Sequence, residues 1–149
     1  MQDSSTCPPI KVDYASLPRL PLTKWPLVEI SLSTRDKSLP QSLFALVDSG
    51  ANISIFHFEV AEFFGYTARN LQFKTRGKSV SGDYKSAIIE KNFSVELYGY
   101  NFLQKFTVVD NPHLLFPCIL GEDSLFQWAR LDFQKFKGFF EIKFRKDLH

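Results

Sequence analysis

From Val28 the chain alternates: Val28, Ile30 and Leu32 are apolar, while Glu29, Ser31 and Ser33 are polar. That period of two predicts a strand with one face in a core. The polar run from Thr34 to Ser42, with Pro40, turns the chain, and Leu43-Phe44-Ala45-Leu46-Val47 then forms an apolar run that stops at Asp48-Ser49-Gly50. A buried strand ending in a tight loop is expected there. Ile53 to Phe56 reads as another strand, and Phe58 to Phe64 as a short helix that Gly65 can cap. Between residues 71 and 90 two strands flank a polar stretch, Thr75 to Asp83, which carries two glycines and is expected to be a mobile loop.

Alternation returns at Phe93, Val95 and Leu97; Gly99 marks a turn, and Phe102 to Val109 is the predicted partner strand. Phe116 to Leu120 predicts a short strand broken by Gly121, followed by a helix over Glu122 to Ala129 with acids at its start. Leu131 and Phe133, then Phe140, Ile142 and Phe144, predict a final hairpin turning near Gly138. Short strands at close spacing with one or two short helices make the chain mostly β, in the form of a small closed barrel.

The prolines change the picture only at the start. Six of the eight lie in the first 40 residues, so residues 1–24 are expected to be an extended, Pro-rich, peripheral arm without regular structure, and residues 25–149 one domain. Hydrophobic residues at 44% and charged residues at 23% are enough for a packed core and argue against disorder. Sixteen phenylalanines are expected to fill that core or a dimer seam rather than to stack on bases. The net charge of +2 is scattered, which gives nucleic-acid binding little support. No run approaches the roughly 18 apolar residues of a membrane helix, and the first 25 residues lack the layout of a signal peptide, so a soluble intracellular domain is expected. Cys7 and Cys118 form no disulfide framework, and His57, His113 and His149 have no metal-ligand spacing, so neither a disulfide nor a metal nor a cofactor is expected.

Asp-Ser-Gly alone is a turn signal that arises by chance in about one chain in fifteen of this length. Here an apolar strand delivers Asp48, Gly50 permits close backbone approach, Ala51 is small, and a second strand begins at once. Ser49 as a hydrolase nucleophile lacks the G-x-S-x-G elbow and a basic partner. Glu122 and Asp123 read as favourable charges at a helix start, and His57 as a surface or packing residue.

The run Phe44 to Ala51 resembles the active-site loop of the retropepsin-like aspartic proteases, an apolar run followed by D-[ST]-G-A. Their second motif, I-[IL]-G-x-[DN]-x-L, is matched by Ile119-Leu120-Gly121-Glu122-Asp123-Ser124-Leu125, in the same order and at a comparable gap. Retroviral members carry an acid after the tetrad and an Arg after the glycine of the second motif. Asn52 and Glu122 stand there, so the chain is more similar to the non-retroviral branch, the bacterial and Ddi1-like members.

The resemblance implies an aspartic endopeptidase, a homodimer in which two Asp48 carboxylates activate water, acting on extended, largely apolar polypeptide. Ser49, Gly50 and Ala51 would support the loop. Gly50 and Asn52, with a flap at Ser79, Val80, Ser81 and Gly82, would bind substrate. Elementary chemistry agrees: metal-free peptide hydrolysis needs one group to take a proton from water and another to give one to the amide. Two carboxylates about 3 Å apart share one proton and fill both roles. One D-[ST]-G per chain then calls for a two-fold dimer. The alternative is a catalytically silent module of the same fold, used for dimerisation or peptide binding, in which Asp48 is only a turn residue.

Overall fold

The alternation at Val28 becomes strand β4 (Leu27–Ser33), with Val28, Ile30 and Leu32 buried and Glu29 and Ser31 exposed. The computed structural model describes residues 5–79 and 82–148. Before β4 come β1 (Ile10–Asp13), β2 (Ala15–Leu17) and β3 (Leu20–Trp25); after it come β5 (Leu43–Val47) and β6 (Ile55–His57). Helices α1 (Phe58–Phe63) and α2 (Ala68–Leu71) lead to β7 (Lys74–Ser79), β8 (Gly82–Ile88), β9 (Phe93–Leu97), β10 (Tyr100–Gln104) and β11 (Thr107–Asp110). The chain continues with β12 (Cys118–Leu120), α3 (Leu125–Trp128), β13 (Ala129–Gln134) and β14 (Phe139–Phe144).

Nine strands, in the order β10-β9-β4-β5-β12-β6-β11-β8-β7, form one sheet curled into a half-barrel. One of its faces packs against the core. Phe106 stacks on Phe56 at 4.8 Å between ring centroids, and Phe93 meets both rings edge-on. Phe56, Phe93, Phe106, Phe140 and Phe144 are all fully buried, so phenylalanines do fill the core.

Four expectations are corrected. The predicted strand Phe102 to Val109 is two: β10 pairs with β9, whereas β11 pairs with β6 and β8, and the chain changes partners where Phe106 dives between the other rings. The polar stretch Thr75 to Asp83 is not a loop, because β7 and β8 pair through it as far as Ser79↔Gly82. The predicted helix Glu122 to Ala129 is helical only over Leu125–Trp128, with Ser124 as its N-cap and Ala129 already extended. The acids precede that cap.

The fourth correction concerns the arm. Residues expected to lack regular structure form β1, which pairs antiparallel with β14 from Ile10↔Ile142 to Asp13↔Phe139, and the β2–β3 hairpin. The boundary at residue 24 falls inside β3. Leu17, 9% exposed, packs with Leu27 and Phe116 in a small second core. Leu17→Ala is therefore expected to cost about 2 kcal/mol of stability, the low end for a leucine truncated at the margin of a core. An unchanged urea midpoint would mean that the hairpin contributes nothing to the domain.

Candidate active site

Asp48 is delivered by β5, the strand between β4 and β12. Its inward residues Ala45 and Val47 are buried, and both edges are occupied: Leu27↔Leu46 on one side, Leu46↔Ile119 and Val47↔Leu120 on the other. The last bonds of the strand hold the loop in place, since the Val47 N–H donates to Pro26 O at 3.0 Å and the Asp48 N–H to Leu120 O at 3.0 Å. Beyond that point the chain turns. The Gly50 N–H donates to Asp48 Oδ1 at 2.9 Å and the Ala51 N–H to Asp48 O at 3.2 Å. A Cβ at residue 50 would lie 3.2 Å from that same Oδ1, so glycine keeps the carboxylate uncrowded. Asp48 is half-buried and Ser49, Gly50 and Asn52 are exposed. The ion pairs among the described residues, Lys105–Glu90 and Arg145–Asp147, do not involve Asp48.

The two sequence motifs meet at Gly121. Its N–H donates to Ser54 Oγ at 2.9 Å, the Ser54 hydroxyl donates to Asp123 Oδ1 at 2.6 Å, and the Glu122 N–H donates to Ala51 O at 2.8 Å. Asp123 thus braces the Asp48 loop instead of serving as a free helix-end charge. Sequence reading missed this pair, although a lone serine inside Ile53-Ser54-Ile55-Phe56 was a signal, because a buried hydroxyl needs a partner. Ser54 is 1% exposed, so Ser54→Ala leaves the Gly121 N–H without its acceptor and Asp123 without its donor. A loss of about 2 kcal/mol is expected in thermal or urea unfolding; a change below about 0.5 kcal/mol would show that the brace is idle.

Ala51, Asn52 and Ile53 form one wall of an open groove of about 540 Å³. Its other sides come from Ile55, Thr107, Val109, Ile119 and the loop Asn111 to Phe116, which sequence reading had not connected with the site. The β7–β8 hairpin rises from the same edge, since β8 pairs with β11. Ser79 and Gly82 face each other near its end, and Val80 and Ser81 lie outside the described residues. His57 caps α1, its Nδ1 accepting the Glu59 N–H at 3.1 Å. Cys118 and Cys7 are free thiols. Burial in the core pushes the Cys118 thiol up, which keeps it protonated and unreactive.

No family model and no curated protein matches the chain. Solved structures do. A retropepsin-like aspartic protease from Rickettsia conorii superposes with a TM-score of 0.60 at 19% identity, over 88% of this chain and 97% of that one. The EIAV protease complexed with the inhibitor HBY-793 gives 0.47 at 20% identity over 71% and 89% of the two chains. The retroviral protease-like domain of Ddi1 from Leishmania major gives 0.48 at 24% over 70% and 79%. The likeness to the Rickettsia structure shows that the fold is retropepsin-like.

Proposed function

We propose that this chain, folded as a retropepsin-like domain, is an aspartic endopeptidase that works as a homodimer, each copy placing its Asp48 beside the other's. The observation that carries the reading is that Asp48 ends a buried strand on a loop pinned from both sides and braced through Ser54 and Gly121, while Ala51, Asn52 and Ile53, where that loop ends, wall an open groove. Such a loop holds a carboxylate in fixed geometry at the edge of a cleft, which general acid and base work requires. One carboxylate takes a proton from the attacking water; the other, protonated, gives one to the carbonyl oxygen, and the roles then exchange as the amine departs. Ser49 would link the two loops across the axis, with Gly50 O and Asn52 hydrogen-bonding an extended substrate. The β7–β8 hairpin would close over that substrate and exclude water, with Ser79, Val80, Ser81 and Gly82 as the residues proposed to contact it.

A second reading keeps the fold without the reaction. The Gly50 N–H to Asp48 Oδ1 bond is what an aspartate does as a plain turn residue. Dilution separates the two. If two chains share one site, cleavage of an unstructured polypeptide per chain should fall as the protein is diluted through its dimer dissociation range, measured in parallel by sedimentation. Constant cleavage per chain among monomers would refute the shared site, and no cleavage at any concentration would favour the silent module.

A further inference from the structure

We infer that the groove beside the Asp48 loop selects a substrate side chain with an apolar stem and a neutral carboxamide tip, glutamine above all, and that Ser86 and Thr107 read that tip. The inference rests on the peptidase reading and names the substrate class for its groove.

Strand register shows which side chains share the groove face. Phe56, Val108 and Ala87 lie side by side on β6, β11 and β8, and all three are buried in the core. Their neighbours along each strand therefore turn to the opposite face. One row there runs Ile119, Ile55, Thr107, and the next places Val109 beside Ser86. All five line the groove.

Most of that floor is aliphatic, and Ser86 interrupts it. Ser86 is only 5% exposed, and neither its hydroxyl nor that of Thr107 makes a hydrogen bond among the described residues. Among the described residues the sealed-off side-chain polar atom without a partner is Trp25 Nε1, so the Ser86 hydroxyl opens onto the groove, where water can serve it. An aliphatic side chain filling this end of the groove would strip that water and leave the hydroxyl unbonded, at a cost. A side chain ending in a donor and an acceptor would replace the lost bonds.

Spacing favours a carboxamide. Thr107 pairs with Ile88 and Val109 with Ser86, so Thr107 and Ser86 are diagonal neighbours on adjacent antiparallel strands. Such positions lie about 7–8 Å apart. One carboxamide, accepting from one hydroxyl and donating to the other through bonds of about 2.9 Å, spans a gap of that order. A carboxylate is disfavoured: among the described residues the groove lining contains no Lys or Arg, and a charge desolvated against Ile55, Val109 and Ile119 finds there only His113, on the Asn111 to Phe116 loop, to offset it.

The test is a matched peptide series, with glutamine, norleucine or glutamate placed in turn at each position flanking the scissile bond, assayed at pH 7. At one position the parent should show a kcat/KM for glutamine about 3- to 10-fold above that for norleucine, and higher still above that for glutamate. Ser86→Ala and Thr107→Val, each a small change that keeps the strand paired, should remove that preference by lowering the glutamine value while leaving norleucine equal or better. Norleucine preferred by the parent, or both peptides losing equally in the variants, would overturn the inference while leaving the peptidase standing. Glutamate preferred would assign the selection to His113 instead and overturn it likewise. If the parent cleaves nothing, the same series is read as binding, by fluorescence anisotropy with labelled peptides. A glutamine preference lost in Ser86→Ala then upholds the groove assignment without the reaction, and equal binding of all three peptides ends both.

Discussion

Asp48→Asn should lower kcat/KM for peptide cleavage by at least about 10³-fold, the loss expected when a proton-transferring group is removed from a transition state. The substitution isolates charge from shape. The asparagine carboxamide oxygen can still accept the Gly50 N–H as Asp48 Oδ1 does, so the turn should survive with an unchanged melting temperature. A second consequence separates a shared site from a self-contained one. Mixed dimers hold one carboxylate and one amide and should be inert, so excess variant added to the parent should suppress its cleavage as subunits exchange. An aspartate that only forms a turn predicts neither loss nor suppression, and full activity of the variant would remove Asp48 from the reaction.

Gly121→Ala should meet a harder clash than an added methyl at Gly50, Gly65, Gly99 or Gly138. A Cβ there would sit 2.5 Å from Ala51 O and 2.7 Å from Ile53 O, both main-chain atoms, and 3.0 Å from the Ile53 carbonyl carbon. No side-chain rotation relieves a clash with backbone, so the two motifs must move apart. That movement would strain the bonds from the Glu122 N–H to Ala51 O and from the Gly121 N–H to Ser54 Oγ. A loss of about 3 kcal/mol or more is expected, at the upper end for overpacking. Cleavage should fall with it, because the displaced Ala51 closes the Asp48 turn. Urea unfolding of the variant checks the first effect, and a midpoint equal to the parent's would show that the loop is looser than the contacts require.

How much of this was legible in the chain depended on range. β4 and β5 could be read because alternation and an apolar run encode burial locally, and the Asp48 turn could be read because Asp-Ser-Gly is a local conformational signal. The arm was misread because Pro8, Pro9, Pro18 and Pro21 dominate its composition, while the alternation of Ile10 and Val12 with Lys11 and Asp13 in β1 is only four residues long. β10 and β11 were merged because nothing local tells a chain to change partners at Phe106; that residue moves inward to meet Phe56 and Phe93, rings distant in sequence. Helix α2 was overlooked although Thr67 and Asn70 form a reciprocal cap, a pattern with Asn in place of the usual Glu or Gln. The Ser54–Asp123 bond spans 69 residues and follows only from the fold that brings β6 and β12 together.

The claim on which the rest depends is that two chains complete one site. Calorimetric titration with a statine-containing peptide, whose hydroxyl stands where the attacking water would sit between paired carboxylates, measures that directly. One peptide bound per two chains, with the binding lost in Asp48→Asn, is the result this account predicts. One peptide per chain, or binding indifferent to Asp48→Asn, would contradict it.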